Sequence, residues 1–260
     1  MGDPGARTPP EQVRGAALTL RALSLVAVLT LLWGCNWPVL KIGLSELAPL
    51  TFRALTLPLA GVGLLGIALV QRQSVRVPRA LWGRIGWLSL FNIAGWNGFL
   101  LFGVEHLSSG RSAILGYTMP LWATLCAVVV VPERLTLRRG IGLAVGMAGM
   151  ALLIGDPMHL VHGAAFGVAM ILIAAFSWGL GTALLRRWPM ELPQPALTGW
   201  MMLAGWLPLA LLVPVFDPTP IASELARLSP RGWFALAYNV VPAGVLANWA
   251  WFTLARTLPV

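Results

Sequence analysis

Carboxylates are the scarcest chemistry in this chain: Asp and Glu total nine in 260 residues, and charged residues of both signs make up only 10%. A water-soluble domain carries roughly a quarter of its residues as charges, so that class is excluded. No Asp or Glu falls inside a long apolar run. An intramembrane enzyme needs an acid–base pair or a metal cluster at that depth, and a proton relay needs a carboxylate; the sequence offers neither. Cysteine is nearly absent as well. Cys35 and Cys126 each lie inside an apolar run, as small packing residues rather than a disulfide or metal pair. Asp156, His159 and His162 share a spacing of three that lines one helical face, but Gly155 and Pro157 place them in a loop and a fourth ligand is missing. No metal and no cofactor is expected. The net charge of +9 would suit nucleic acid, yet the basic residues are scattered between apolar runs instead of clustered. That scatter fits the loops of a membrane protein, and no nucleic-acid partner is expected.

What is present is apolar: 58% of the chain, with a mean hydropathy of +0.79. Uncharged stretches recur at Ala22–Leu40, Ala54–Gln71, Ile85–Val104, Ser112–Pro132, Gly140–Gly155, Gly163–Leu185, Leu192–Phe216 and Gly232–Ala255. A helix needs roughly 20 apolar residues to cross a bilayer, and the short fifth stretch can be lengthened by snorkelling of Arg138 and Arg139. Eight transmembrane helices and an all-α polytopic membrane fold are expected. Residues 1 to 20, rich in Pro and Gly at their start, read as a disordered tail. Leu32-Trp33-Gly34-Cys35 imitates a lipoprotein cleavage site, but Trp is too bulky there and the apolar run continues past Cys35.

Of the 18 basic residues, only Lys41, Arg53, Arg111, Arg227 and Arg231 fall on one side of such a topology. The excess on the other side makes that side cytoplasmic and the N-terminus internal, in an inner membrane of bacterial type. A repeat is also visible. Trp33-Gly34 lies in the first apolar stretch and Trp178-Gly179 in the sixth, each with a cation seven residues past the glycine, Lys41 and Arg186. The third and eighth stretches echo one another through Trp87 to Asn92 and Trp233 to Asn239. Five helices per unit is an odd number, so the second unit crosses the membrane in the opposite sense, as in many secondary transporters. Residues 21–155 form the first unit, and 156–260 a second unit of three helices.

Polar and aromatic residues at membrane depth mark the candidate site. Trp33, Asn36, Asn92, Trp96, Tyr117, Trp178 and Asn239 all fall within apolar stretches, and Asn92 and Trp96, four apart, share a helix face. Singly, each reads as an interhelical hydrogen-bonding group; together they outline a polar cavity near the midplane. Lys41 lies 20 residues after Arg21, about 30 Å of helix, and so reaches the outer interface, as does Arg53. Both read either as snorkelling anchors or as a cationic outer vestibule that meets carboxylates. Glu133, before the fifth stretch, suits a helix cap. Gly142, Gly146 and Gly149 suit close helix packing within the chain.

Ser112–Ile154, with Pro120, Pro132-Glu133-Arg134-Leu135, Gly140-Ile141-Gly142 and Gly146-Met147-Ala148-Gly149, resembles the end of the first repeat in the EamA branch of the drug/metabolite transporter superfamily. Trp33-Gly34, Lys41 and Arg53 resemble that family's first repeat too, and the likeness runs over roughly residues 20 to 258. The resemblance implies ten helices, five plus five, so a second unit lacking its last two helices is expected here. It also implies a secondary transporter for small organic metabolites, amino acids and related compounds, in the export direction. A passive channel or facilitator is the alternative, and an intramembrane enzyme is a third class that lacks its acid–base pair. The lipid bilayer and a small-molecule substrate are the expected partners.

Overall fold

A computed structural model describes residues 20–131, 137–155 and 164–257; the described residues are almost wholly helical and contain no strand. Residues 1–19, 132–136, 156–163 and 258–260, and with them Glu133, Asp156, His159 and His162, lie outside them. Helix α1 runs Leu20–Gly34 and resumes as Asn36–Leu44; α2 is Pro49–Val70. Helix α3 comprises Trp82–Leu88, a π-helical stretch Ser89–Gly95 and Trp96–His106. Helix α4 is Ser109–Gly116 resumed as Met119–Val130, α5 is Leu137–Gly155, α6 is Ala164–Arg187 and α7 is Gln194–Phe216. Helix α8 comprises Pro230–Val240, a second π-helical stretch Val241–Leu246 and Ala247–Thr257.

Among the described residues, six helices are long and apolar enough to cross a membrane: Ala22–Leu44, Pro49–Val70, Arg79–His106, Ser109–Val130, Ala165–Arg187 and Gln194–Phe216. The fifth and eighth sequence stretches do form helices, but only Gly140–Gly149 of α5 counts as a shorter apolar helix. Helix α8 carries Tyr238, Asn239, Asn248, Trp249 and Trp251, which lower its hydropathy.

Prolines mark two of the helix breaks, although α7 runs unbroken through Pro208 and Pro214. Pro38 has no N–H for the Gly34 carbonyl, and its ring crowds that carbonyl, so α1 divides at Cys35. Pro120 stands in the same relation to Gly116, and α4 divides at Tyr117 and Thr118. Pro58 deprives the Ala54 carbonyl in the same way, yet α2 stays continuous, because the Trp206 indole N–H of α7 donates to Ala54 O at 3.0 Å. In α8, Pro242 lies within the π-helical stretch. Helix α2 begins at Pro49, five residues before the apolar stretch does, since proline is preorganised for the first helical position and Asp217 accepts the Thr51 N–H at 2.7 Å.

The helices pack in a pattern with an internal symmetry. Helix α1 lies against α8, α6 against α3, and α2 against both α7 and α8, while α7 also contacts α3. Exchanging α1 with α6, α2 with α7 and α3 with α8 maps α1–α8 onto α6–α3, α2–α8 onto α7–α3, and α2–α7 onto itself. The α2–α7 crossing is close because two glycines meet: a methyl group added at Gly199 would stand 2.9 Å from the Gly61 carbonyl oxygen. Trp37, Leu40, Phe52, Leu101 and Ile171 fill one buried cluster; Leu57, Leu64, Ile85, Leu88 and Leu209 fill a second. Leu59, Val129, Leu211 and Val215 stay exposed, as faces turned to lipid do.

Candidate functional site

The two π-helical stretches organise the interior. A π-turn bonds i to i+5 and leaves carbonyls of the normal ladder underused. Ser177 Oγ of α6 donates to Phe91 O at 2.9 Å, and Trp33 Nε1 of α1 donates to Ala243 O at 3.3 Å. Phe91 and Ala243 are each the third residue of their π-helical stretch. Just past each stretch an asparagine folds back on its own helix: Asn97 Nδ2 donates to Ile93 O and Asn248 Nδ2 to Gly244 O, both at 2.8 Å. The α1–α8 contact is reciprocal, since Tyr238 OH donates back to Leu32 O at 2.9 Å beside the α1 break. Trp33 also meets the Trp251 ring, 6.2 Å between centroids.

Around the α4 break, Trp37, Trp96 and Tyr117 come together from α1, α3 and α4. Trp37 Nε1 donates to Tyr117 OH at 3.3 Å, and the two rings meet edge to face at 5.8 Å. Gly116 admits both indoles, because a side chain there would collide with Trp37 and touch Trp96. Asn92 presses against α6 at Gly181, where an added methyl group would overlap its amide oxygen. That oxygen, Asn92 Oδ1, is buried without a hydrogen-bond partner, as is Asn36 Oδ1 on α1. Trp178 is half-buried one turn before Gly181, its carbonyl accepting the Thr182 hydroxyl at 2.9 Å.

The two expected vestibule cations are held differently. Lys41 Nζ donates to Val104 O and Glu105 O, both at 2.7 Å, and so satisfies the carbonyls that α3 leaves open at its C-terminus. Arg187, at the end of α6, serves α4 similarly through Val130 O. Arg53 does not snorkel to water: it is only 7% exposed and donates to Asn239 Oδ1 at 3.2 Å, while its Nε finds no partner. Asn239 is itself anchored, its Nδ2 donating to Ala235 O at 3.1 Å.

Beyond the helix ends, three carboxylates cap neighbouring helices. Glu46, between α1 and α2, accepts from Ser229 N at 2.8 Å and Ser229 Oγ at 2.5 Å, where α8 begins. The Ser229 hydroxyl, then the Ser229 N–H, hold the Glu46 carboxyl below its ordinary range. Glu224, in the short helix Ile221–Ala226, accepts from Ala48 N at 3.4 Å, and burial chiefly pushes its carboxyl upward. Asp217 is buried on the Thr51 N–H.

The structure thus gathers Trp96 with Tyr117, and Asn239 with Arg53. It sets Trp33 on the α8 π-turn and Asn92 on α6. Trp206, Tyr238, Glu46, Asp217 and Glu224 escaped the sequence reading. Only Trp206 left a sequence trace, since Pro58 announces an orphaned Ala54 carbonyl. Cys126 is buried as expected of a packing residue, whereas Cys35 is exposed at the α1 break. Of Gly142, Gly146 and Gly149, Gly146 packs on Leu121 and the other two meet nothing within 4 Å.

The EamA-like transporter family matches residues 20–155 and 165–260. An uncharacterized transporter of Bacillus subtilis, YoaV, is 27% identical over 77% of this chain and 68% of its own length. A Chlamydia trachomatis S-adenosylmethionine/S-adenosylhomocysteine transporter is 28% identical over 87% of this chain and 73% of its own. A probable amino-acid metabolite efflux pump of Salmonella typhimurium is 27% identical over 88% of this chain and 76% of its own.

Proposed function

The chain belongs to the EamA-like transporter family, and from that premise we propose that it carries amino acids or closely related metabolites outward across the inner membrane by alternating access. The observation that carries this reading is that three of the buried polar atoms left unpartnered among the described residues sit on α1, α2 and α3: the acceptors Asn36 Oδ1 and Asn92 Oδ1 and the donor Arg53 Nε. An unmade buried hydrogen bond costs roughly 1–3 kcal/mol, and a substrate bearing both donors and acceptors supplies the missing partners. The seven residues Trp33, Asn36, Asn92, Trp96, Tyr117, Trp178 and Asn239 are the proposed lining, the indoles giving contact area and the amides orienting the polar head. Names of relatives support the substrate class: one is a probable amino-acid metabolite efflux pump, another transports an amino-acid derivative.

The packing that survives exchange of α1–α3 with α6–α8 supports two inverted units that rock against each other, with the N-terminus cytoplasmic. The π-turns are the places where such units would bend, each bridged by one side-chain hydrogen bond from the opposite unit. Counterflow in proteoliposomes tests the reading. Unlabelled amino acid inside should drive transient accumulation of labelled amino acid, which a carrier produces and a channel does not. Asn36→Ala and Asn92→Ala should lower that transport while the melting temperature stays near wild type. Normal transport by both variants would place the substrate elsewhere.

A further inference from the structure

We infer that Arg53 receives the carboxylate of the substrate, and that Asn239 positions the guanidinium for it; the inference rests on the transporter reading and names the group that the interior recognises. Arginine stays charged in proteins, and a buried charge is stable only when paired and fully hydrogen-bonded. Arg53 satisfies neither condition. It is 7% exposed, has a neutral amide oxygen as its hydrogen-bond acceptor, and keeps Nε unbonded. Among the described residues no carboxylate forms an ion pair with it. The three acids around the ends of α2 and α8 are committed elsewhere: Asp217 to Thr51 N, Glu224 to Ala48 N, and Glu46 to Ser229.

A guanidinium with open donors is the complement of a carboxylate, whose two oxygens take two parallel N–H groups. Arg53 stands on the fifth residue of α2, about 6 Å along the helix axis from its start. Asn239 reaches it from α8 just before the Val241–Leu246 π-turn, and the neighbouring Tyr238 binds Leu32 O at the α1 break. An anion arriving at Arg53 therefore meets α8 just before its π-helical stretch, next to the residue that ties α8 to α1. Occupation of this point and movement of those helices share the same residues.

The experiment uses the full chain in nanodiscs and proteoliposomes with matched probes: L-tryptophan against tryptamine, L-leucine against isoamylamine, and propionate alone. Thermal stabilisation and counterflow are read for wild type, Arg53→Gln, Arg53→Lys and Asn239→Ala. Wild type should prefer each amino acid over its amine by about tenfold or more, the scale of a charge-assisted hydrogen bond. Arg53→Gln should bind acid and amine alike, and Arg53→Lys should keep a reduced preference because it holds the charge without the fork. Asn239→Ala should weaken acid binding several-fold more than amine binding. Should Arg53→Gln fail to fold, selective loss of acid affinity in Arg53→Lys carries the test. If the probes are transported but the preference is absent from wild type or persists in folded Arg53→Gln, the carboxylate assignment is overturned and the transporter reading stands. If no probe binds or moves, both are overturned.

Discussion

Trp206 donates to the one carbonyl of α2 that Pro58 has stripped of its helical partner, so the two residues act as a pair. Trp206→Phe should lower stability by about 1–2 kcal/mol, the cost of an unmet buried acceptor. Pro58→Ala restores an N–H for Ala54 O, so the double variant should recover most of that loss. Denaturation of the four proteins in a double-mutant cycle checks this, and simple additivity would refute it. Lys41 and Arg53 show how far single residues can be read in advance. Both were legible as cations near a helix end, because spacing from Arg21 and from the apolar runs sets their depth. That Lys41 closes the α3 terminus while Arg53 is buried on Asn239 depended on which helix stands beside each, and spacing carries no such information.

Gly34 and Gly179 hold the same place in the two Trp-Gly helices, and the elements around them differ. A methyl group at Gly179 would stand 2.6 Å from the Ala123 amide nitrogen and 2.7 Å from the Trp122 carbonyl carbon, so α4 would have to move away from α6. At Gly34 nothing lies within 4 Å. Gly179→Ala should therefore destabilise by about 1–3 kcal/mol, as overpacking does, while Gly34→Ala should change little. Thermal melts of the two variants in the same detergent give the comparison; equal effects would contradict it. Helix existence was legible throughout, since long uncharged runs bounded by Arg and Pro fold one way in lipid. The π-helical stretches were not. One contains Pro242, but Ser89–Gly95 contains no proline at all, and its register shift is set by α6 and α7 packed against it.

Across the whole molecule, Glu46 ties the α1–α2 connection to the start of α8, and the link titrates. Its folded carboxyl lies below the ordinary value of 4.5, so its stabilisation is complete above that value and is lost as pH falls through the lowered folded one. Melting temperature should fall on acidification through that window. Glu46→Gln should be less stable than wild type at neutral pH and should show a shallower acid decline. Glu224 runs the other way: burial raises its carboxyl, so its ionised form is disfavoured at neutral pH and relief comes as pH falls. Glu224→Gln should then be neutral or stabilising at pH 7, because an amide oxygen still accepts the Ala48 N–H. A pH series of melts on the two variants separates the opposite signs.

By itself the sequence determined the all-helical membrane class and the family. Lipid offers no partners to an open backbone, so hydropathy sets which segments become helices, while prolines break α1 and α4 but not α2 or α7. It also showed the Trp-Gly echo of α1 in α6. Only the tertiary structure decided which orphaned atoms are rescued and which are left open. Ala54 O is met by Trp206, Phe91 O by Ser177 and Ala243 O by Trp33, whereas Asn36 Oδ1, Asn92 Oδ1 and Arg53 Nε stay without partners. The reason is physical: a hydrogen bond between helices depends on the rotation and depth of both. These are set by close crossings such as Gly61 with Gly199, residues far apart in the chain whose meeting no local pattern encodes.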